Sequence, residues 1–171
     1  MSAKPEVWLR GALPDIPPLL QPVAHGLLQC REEITATLAG LTPVELWARP
    51  NGAASIGYHA RHAAGALDRL FTYARGEQLT AEQRSALEDE QTFDVAHDAA
   101  ARLAAGFDGA VERALRQLRT TDVSTLTEPR GVGRAMLPST VIGLLFHGAE
   151  HAQRHTGQLV TTAKIVRGMG K

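Results

Sequence analysis

The chain has one cysteine, Cys30, so it has no intramolecular disulfide and nothing in it requires an oxidising compartment. It also lacks a run of basic residues. Its 18 Lys and Arg balance 18 Asp and Glu, so it lacks the electrostatic footprint of a protein that binds nucleic acid or an anionic membrane. A small neutral or mixed-charge partner suits this balance better than DNA. Long hydrophobic runs are missing too: the most apolar stretch, Val141 to Phe146, falls far short of the roughly 20 residues that cross a bilayer. Pro5, Pro14, Pro17 and Pro18 interrupt the N-terminal segment, which has no continuous apolar stretch of the signal-peptide kind. A soluble, cytoplasmic protein is expected. Aromatic residues make up only 5% of the chain and β-branched residues do not cluster, which leaves little material for strands.

Alanine is abundant wherever proline and glycine are absent, and this points to an all-α domain. The length suits one domain spanning residues 1–171, with a core from about 17 to 167. A first helix fits Leu19 to Ala39, with Val23, Leu27, Cys30, Ile34 and Leu38 as its apolar stripe. Leu41 to Ser55 reads as a connection broken by Pro43, Pro50 and Gly52. Ser55 is an N-cap candidate for a second helix that ends near Arg75, with Gly76 as its left-handed stop. Thr80 to Glu90 reads as a short polar helix. A third long helix is expected from Phe93 to Arg119, built on Val95, Leu103, Phe107, Val111, Leu115 and Leu118. The connection from Thr120 to Pro138 is long for a compact domain, so it is expected to cover a site or pack along the bundle. Pro138 with Ser139 or Thr140 opens a fourth helix to about Val166, before Gly168 and Gly170. Four long helices most simply form a four-helix bundle, a fold that builds cofactor sites from side chains on facing helices.

Five of the seven histidines lie in two short windows, SIGYHARH (His59, His62) and HGAEHAQRHTGQL (His147, His151, His155). Residues four apart on a helix share a face, so the second window forms a stripe of three imidazoles. Neutral imidazole suits zinc, nickel, iron and copper. Two histidines on one helix and a third from a facing helix would leave coordination positions open, as catalytic zinc sites do. The plain alternative is a set of bundle histidines hydrogen-bonded to Glu150, Gln153, Gln158 or backbone. A haem site needs one axial histidine and leaves the other clustered ones unexplained. His25, His97 and Cys30 read as ordinary residues. Trp8, Trp47, Tyr58 and Tyr73 read as packing residues before pocket residues.

SIGYHARH in the second helix and EHAQRHTGQL in the fourth, flanked by LWARPNGAAS, LDRLFTYARGEQLT and RAMLPSTVIGLLFHGAEHAQRH, resemble the DinB-like, YfiT-type superfamily of metal-dependent four-helix-bundle proteins. The resemblance runs along nearly the whole chain. It implies a divalent metal held by one histidine of the second helix and an H-x-x-x-H of the fourth. Carried across, the fourth-helix ligands are His151 and His155, the latter followed by the family-like TGQ. Seven residues from the capping Ser55, where the family places its ligand, stands His62. Periodicity argues instead for His59, which lies nearer the centre of the apolar face formed by Ile56, Ala63, Leu67, Leu70 and Phe71. His62 is taken with the family, and His59 becomes a neighbour. His147 is a candidate to orient a ligand, and Glu150 has the chemistry of a general base but stands one position off the stripe. Among metals, zinc or nickel leads, with iron or manganese as further candidates. The implied activities are hydrolysis, or transfer involving a low-molecular-weight thiol, on a small-molecule substrate. Relatives also imply a homodimer. A non-enzymatic helical module that binds a small molecule or protein, with a structural metal or none, is the alternative.

Overall fold

The helices begin where side chains satisfy their free N–H groups. In the computed structural model, which describes residues 4–169, the helices are α1 (Gln21–Leu38), α2 (Pro43–Trp47), α3 (Ile56–Ala74), α4 (Ala81–Glu88), α5 (Ala99–Thr120) and α6 (Val141–Met169). Gly170 lies outside the described residues. Ser55 caps α3 by accepting from the Tyr58 N–H at 3.1 Å. Thr80 and Gln83 form a reciprocal capping box at α4. Gly76 ends α3 at a φ of +78°, a left-handed position that costs glycine nothing.

α1, α3, α5 and α6 are the four long helices, and the fold is all-α as expected. α3 packs on α6 and α5, and α1 packs on the same two from the other side. Leu27 and Ile34 of α1, Leu67 of α3, Phe107 and Leu118 of α5, and Leu145 and Leu159 of α6 are fully buried between them. The α3–α6 seam is unusually close at one point. A Cβ on Gly148 would stand 2.9 Å from the Phe71 ring, so only glycine lets α6 approach α3 there. Among the described residues no helix is long and apolar enough to cross a membrane.

Three segments differ from the sequence expectation. The 41–55 connection contains α2, because Thr42 and Glu45 form a capping box around Pro43 at the first helical position. α5 starts at Ala99 rather than Phe93, and Val95 is 80% exposed instead of in the core. Asp94 Oδ1 accepts from the Ala96 N–H at 3.1 Å, a local bond that competes with helix formation. The long connection before α6 folds into an antiparallel hairpin, β1 (Pro129–Val132) with β2 (Leu137–Thr140), turning through Gly133 and Met136 at positive φ. Pro138 therefore sits in β2 opposite Gly131, and Thr140 opens α6 by accepting from the Gly143 N–H at 3.1 Å. The hairpin packs on the end of α3, where Arg130 Nε donates to the Ala74 carbonyl at 3.0 Å.

Two outcomes follow from this packing. Phe107→Ala, which empties a side chain that is 1% exposed, is expected to lower the unfolding free energy by about 3–5 kcal/mol. Val95→Ala is expected to change it by less than about 0.5 kcal/mol; urea denaturation at neutral pH measures both. Cys30 is buried in the core, and burial pushes its thiol up to about 11. A raised folded pKa stabilises below the unfolded value and loses that contribution as pH rises from about 9 toward 11. Denaturation midpoints of the wild-type chain should therefore fall over that interval relative to those of Cys30→Ala.

Candidate metal centre

His151 and His155 lie one turn apart on α6, with ring centroids 4.6 Å apart, and both face His62 of α3. The His62 ring centroid is 5.1 Å from His151 and 4.5 Å from His155. One nitrogen from each of these three rings falls within 4.8 Å of the others, a spacing that could hold a metal ion. His62 Nε2 and His151 Nε2 are 2.9 Å apart. His59, one turn before His62, is 6% exposed and lies deeper, with its Nδ1 3.0 Å from His155 Nδ1. The structure thus gathers His62, His151 and His155, and sets His59 behind His155.

Burial holds the His155 imidazole down at about 4, with the neighbouring His62, His151 and His59 adding to the effect. Burial lowers His151 and His59 in the same way, again helped by His62. Near neutral pH these three rings are therefore neutral and keep a lone pair for coordination. His151 Nδ1 is buried without a hydrogen-bond partner. Close-set neutral imidazoles with an unsatisfied nitrogen fit a borderline divalent ion.

Two residues that adjoin the histidine group had not been read from the sequence. Glu90, 4% exposed, places Oε2 2.6 Å from His62 Nδ1, and Arg69 Nη1 stands 2.8 Å from Glu90 Oε1. Burial pushes the Glu90 carboxyl up, but the His62 hydrogen bond and the Arg69 charge outweigh it and leave it below its ordinary value. Arg69 follows His62 by seven residues and so shares its face of α3, a signal that periodicity offers. Nothing local marks Glu90, which comes from the turn after α4. That turn is pinned from both sides. Arg61 Nη1 donates to the Asp89 and Thr92 carbonyls at 2.9 and 2.5 Å, and Trp47 Nε1 donates to the Asp94 carbonyl at 2.6 Å.

The remaining candidates stand apart from the donor group. His147 is half exposed with Nδ1 3.1 Å from Glu150 Oε2, and Glu150 also binds Arg154. His25 Nε2 lies 3.1 Å from the Gly11 carbonyl, and His97 is exposed before α5. Trp47 is buried and packs under the Arg61 guanidinium, Tyr73 packs on the core, and Trp8 is exposed. Tyr58 differs: its ring lies nearly parallel to His62, and it also lines a cleft of about 210 Å³ with Arg49, Ser55, Gln91 and Phe93.

A family model described as the DinB superfamily matches residues 27–159, which include all five clustered histidines. The chain belongs to the DinB superfamily. Among curated proteins none matches it significantly. A crystal structure of a conserved protein from Enterococcus faecalis is similar to this DinB chain, with a TM-score of 0.70 and 20% identity. That likeness covers 88% of this chain and 98% of the other, and it shows a shared fold.

Removing the Arg61 clamp should loosen the turn that carries Glu90. In Arg61→Ala, amide hydrogen exchange across residues 89–94 is expected to speed up while the α5 core keeps wild-type protection. Unchanged exchange in the turn would show that Trp47 holds it alone.

Proposed function

We propose that this DinB-superfamily chain is a divalent-metal-dependent enzyme whose metal is held by His62, His151 and His155. The observation that carries the reading is the convergence of these three side chains from two helices onto one point of the α3–α6 seam. The three rings are partly exposed rather than sealed in the core, which gives a small molecule access. A bound ion there would act as a Lewis acid, lowering the pKa of a water or thiol or polarising a carbonyl. Around it, Tyr58 fixes the plane of the His62 ring, and the adjoining cleft offers Phe93, Gln91 and the exposed Arg49 to a substrate. The family resemblance suggests a hydrolase or a low-molecular-weight-thiol-dependent transferase for such a centre, with zinc or nickel as the leading metal.

A helical binding module with a structural ion is the second reading, favoured by one observation. Glu150, the one carboxylate beside the α6 histidines in sequence, is engaged by His147 and Arg154 and leaves no evident free base there.

Metal analysis of protein prepared without a histidine tag tests the site. About one equivalent is expected in the wild-type chain, falling below about a tenth in His151→Ala. Less than about a tenth of an equivalent in both proteins rejects the centre.

A further inference from the structure

We infer that Glu90, backed by Arg69, is the positioning residue of this centre: it holds His62 as the Nδ1–H tautomer and so turns the Nε2 lone pair toward His151 and His155. The metal consequence rests on the three-histidine reading above, but the tautomer itself does not.

Glu90 belongs to the turn Asp89–Gln91, outside the four-helix core, yet its side chain is only 6% exposed. Burying a carboxylate is costly unless its oxygens are paired. Here the two oxygens face different residues: Oε1 is paired by charge with Arg69 Nη1 at 2.8 Å but makes no hydrogen bond, and Oε2 is hydrogen-bonded to the ring nitrogen of His62 that points away from the cluster. An ionised carboxylate only accepts hydrogen bonds, so the contact at 2.6 Å places the proton on His62 Nδ1. The other nitrogen is then a bare lone pair, and it is the one 2.9 Å from His151 Nε2.

The path is also built sterically. A Cβ on Gly65 would come within 2.8 Å of Arg69 Nη1 and 3.0 Å of Glu90 Oε1, so a glycine on α3 makes room for the pair. A purely structural Arg–Glu pair would not need its second oxygen on a histidine ring. Carboxylates in this place on metal-binding histidines fix the ring orientation and raise its basicity.

Long-range proton–nitrogen correlation spectra of the metal-free chain at pH 8 read the tautomer directly, with the His62 signals identified by their loss in His62→Asn. The Nδ1–H form is expected in the wild type and in Glu90→Gln, whose amide oxygen still accepts. In Glu90→Ala a mixture of tautomers is expected. Zinc affinity, measured against a chromophoric chelator, should fall about 10- to 100-fold in Glu90→Ala and much less in Glu90→Gln. If Glu90→Ala does not fold, the pair Glu90→Leu with Arg69→Met, which removes both buried charges together, takes its place with the same expected loss. An Nε2–H His62 in the wild type overturns the inference without any variant. So does a zinc affinity in Glu90→Ala within about twofold of wild type. A wild-type chain that shows the Nδ1–H form but binds no zinc rejects the metal reading and leaves the Glu90 contact standing.

Discussion

Everything at the centre depends on how near α3 and α6 can come to each other. Imidazole is a short side chain, so rings from two helices meet nitrogen to nitrogen only if the backbones are close. Gly148 supplies that closeness by letting the Phe71 ring rest on the α6 backbone, and His151 follows it by three residues, on the next turn. On α3 the Gly148 contact falls on Phe71 and Leu67, whereas His62 stands about two and a half turns before Phe71 and so on the other flank of the helix; the glycine contact acts on the histidines through the distance between the two helix axes. Phe71 and Gly148 set the spacing, and the histidines occupy the space that it leaves.

Placing polar rings in a packed seam has a cost, since an unpaired buried polar group loses its water without compensation. The protein offsets it in two ways. Burial keeps His59, His151 and His155 neutral, which avoids the much larger cost of a buried charge. Pairing then satisfies most ring nitrogens: His59 with His155, His62 with Glu90 on one side and with His151 on the other. His151 Nδ1 and Glu90 Oε1 are buried without a hydrogen bond. The one ionised partner, Glu90, is matched by Arg69, so the network carries no net buried charge near the rings. Networks of this kind are stabilising only when nearly every member is engaged.

Much of this was legible in the sequence, and the parts that were not share a cause. Ser55 as cap, Gly76 as stop and the four-residue spacing of the histidines are local signals, and each appears in the structure where it was expected. The α6 histidines were readable because 3.6-residue periodicity puts them beside the buried row Leu145, Ala149, Ala152 and Leu159. The choice between His59 and His62 could not come from periodicity, which favours the residue nearest the core centre and so pointed to His59. The donor group instead sits at the edge of the core. Glu90 was invisible because its role is set by a turn that folds back across 28 residues and is held there by Arg61 and Trp47. The β-hairpin escaped for a related reason: its four-residue strands carry two prolines and a glycine, and their pairing follows from the turn at Gly133 and the Arg130 tether rather than from strand propensity.

The edge position also bears on what the centre can do. Structural zinc sites close with four protein ligands, whereas catalytic ones keep a position for substrate. A fourth imidazole, His59, stands close enough to suggest closure, but its Nδ1 faces His155 Nδ1 and not the nitrogens shared by His62 and His151. Swinging it into the donor group would break the contact that holds His155, and would drag a ring that is 6% exposed out of the core. Glu90 is equally committed, with one oxygen on His62 and the other against Arg69. The two residues best placed to complete a four-donor cage are thus occupied in contacts with the candidate donors themselves. A set of three donors at the rim of the bundle, with its neighbours spent on orientation, supports an open centre over a sealed one.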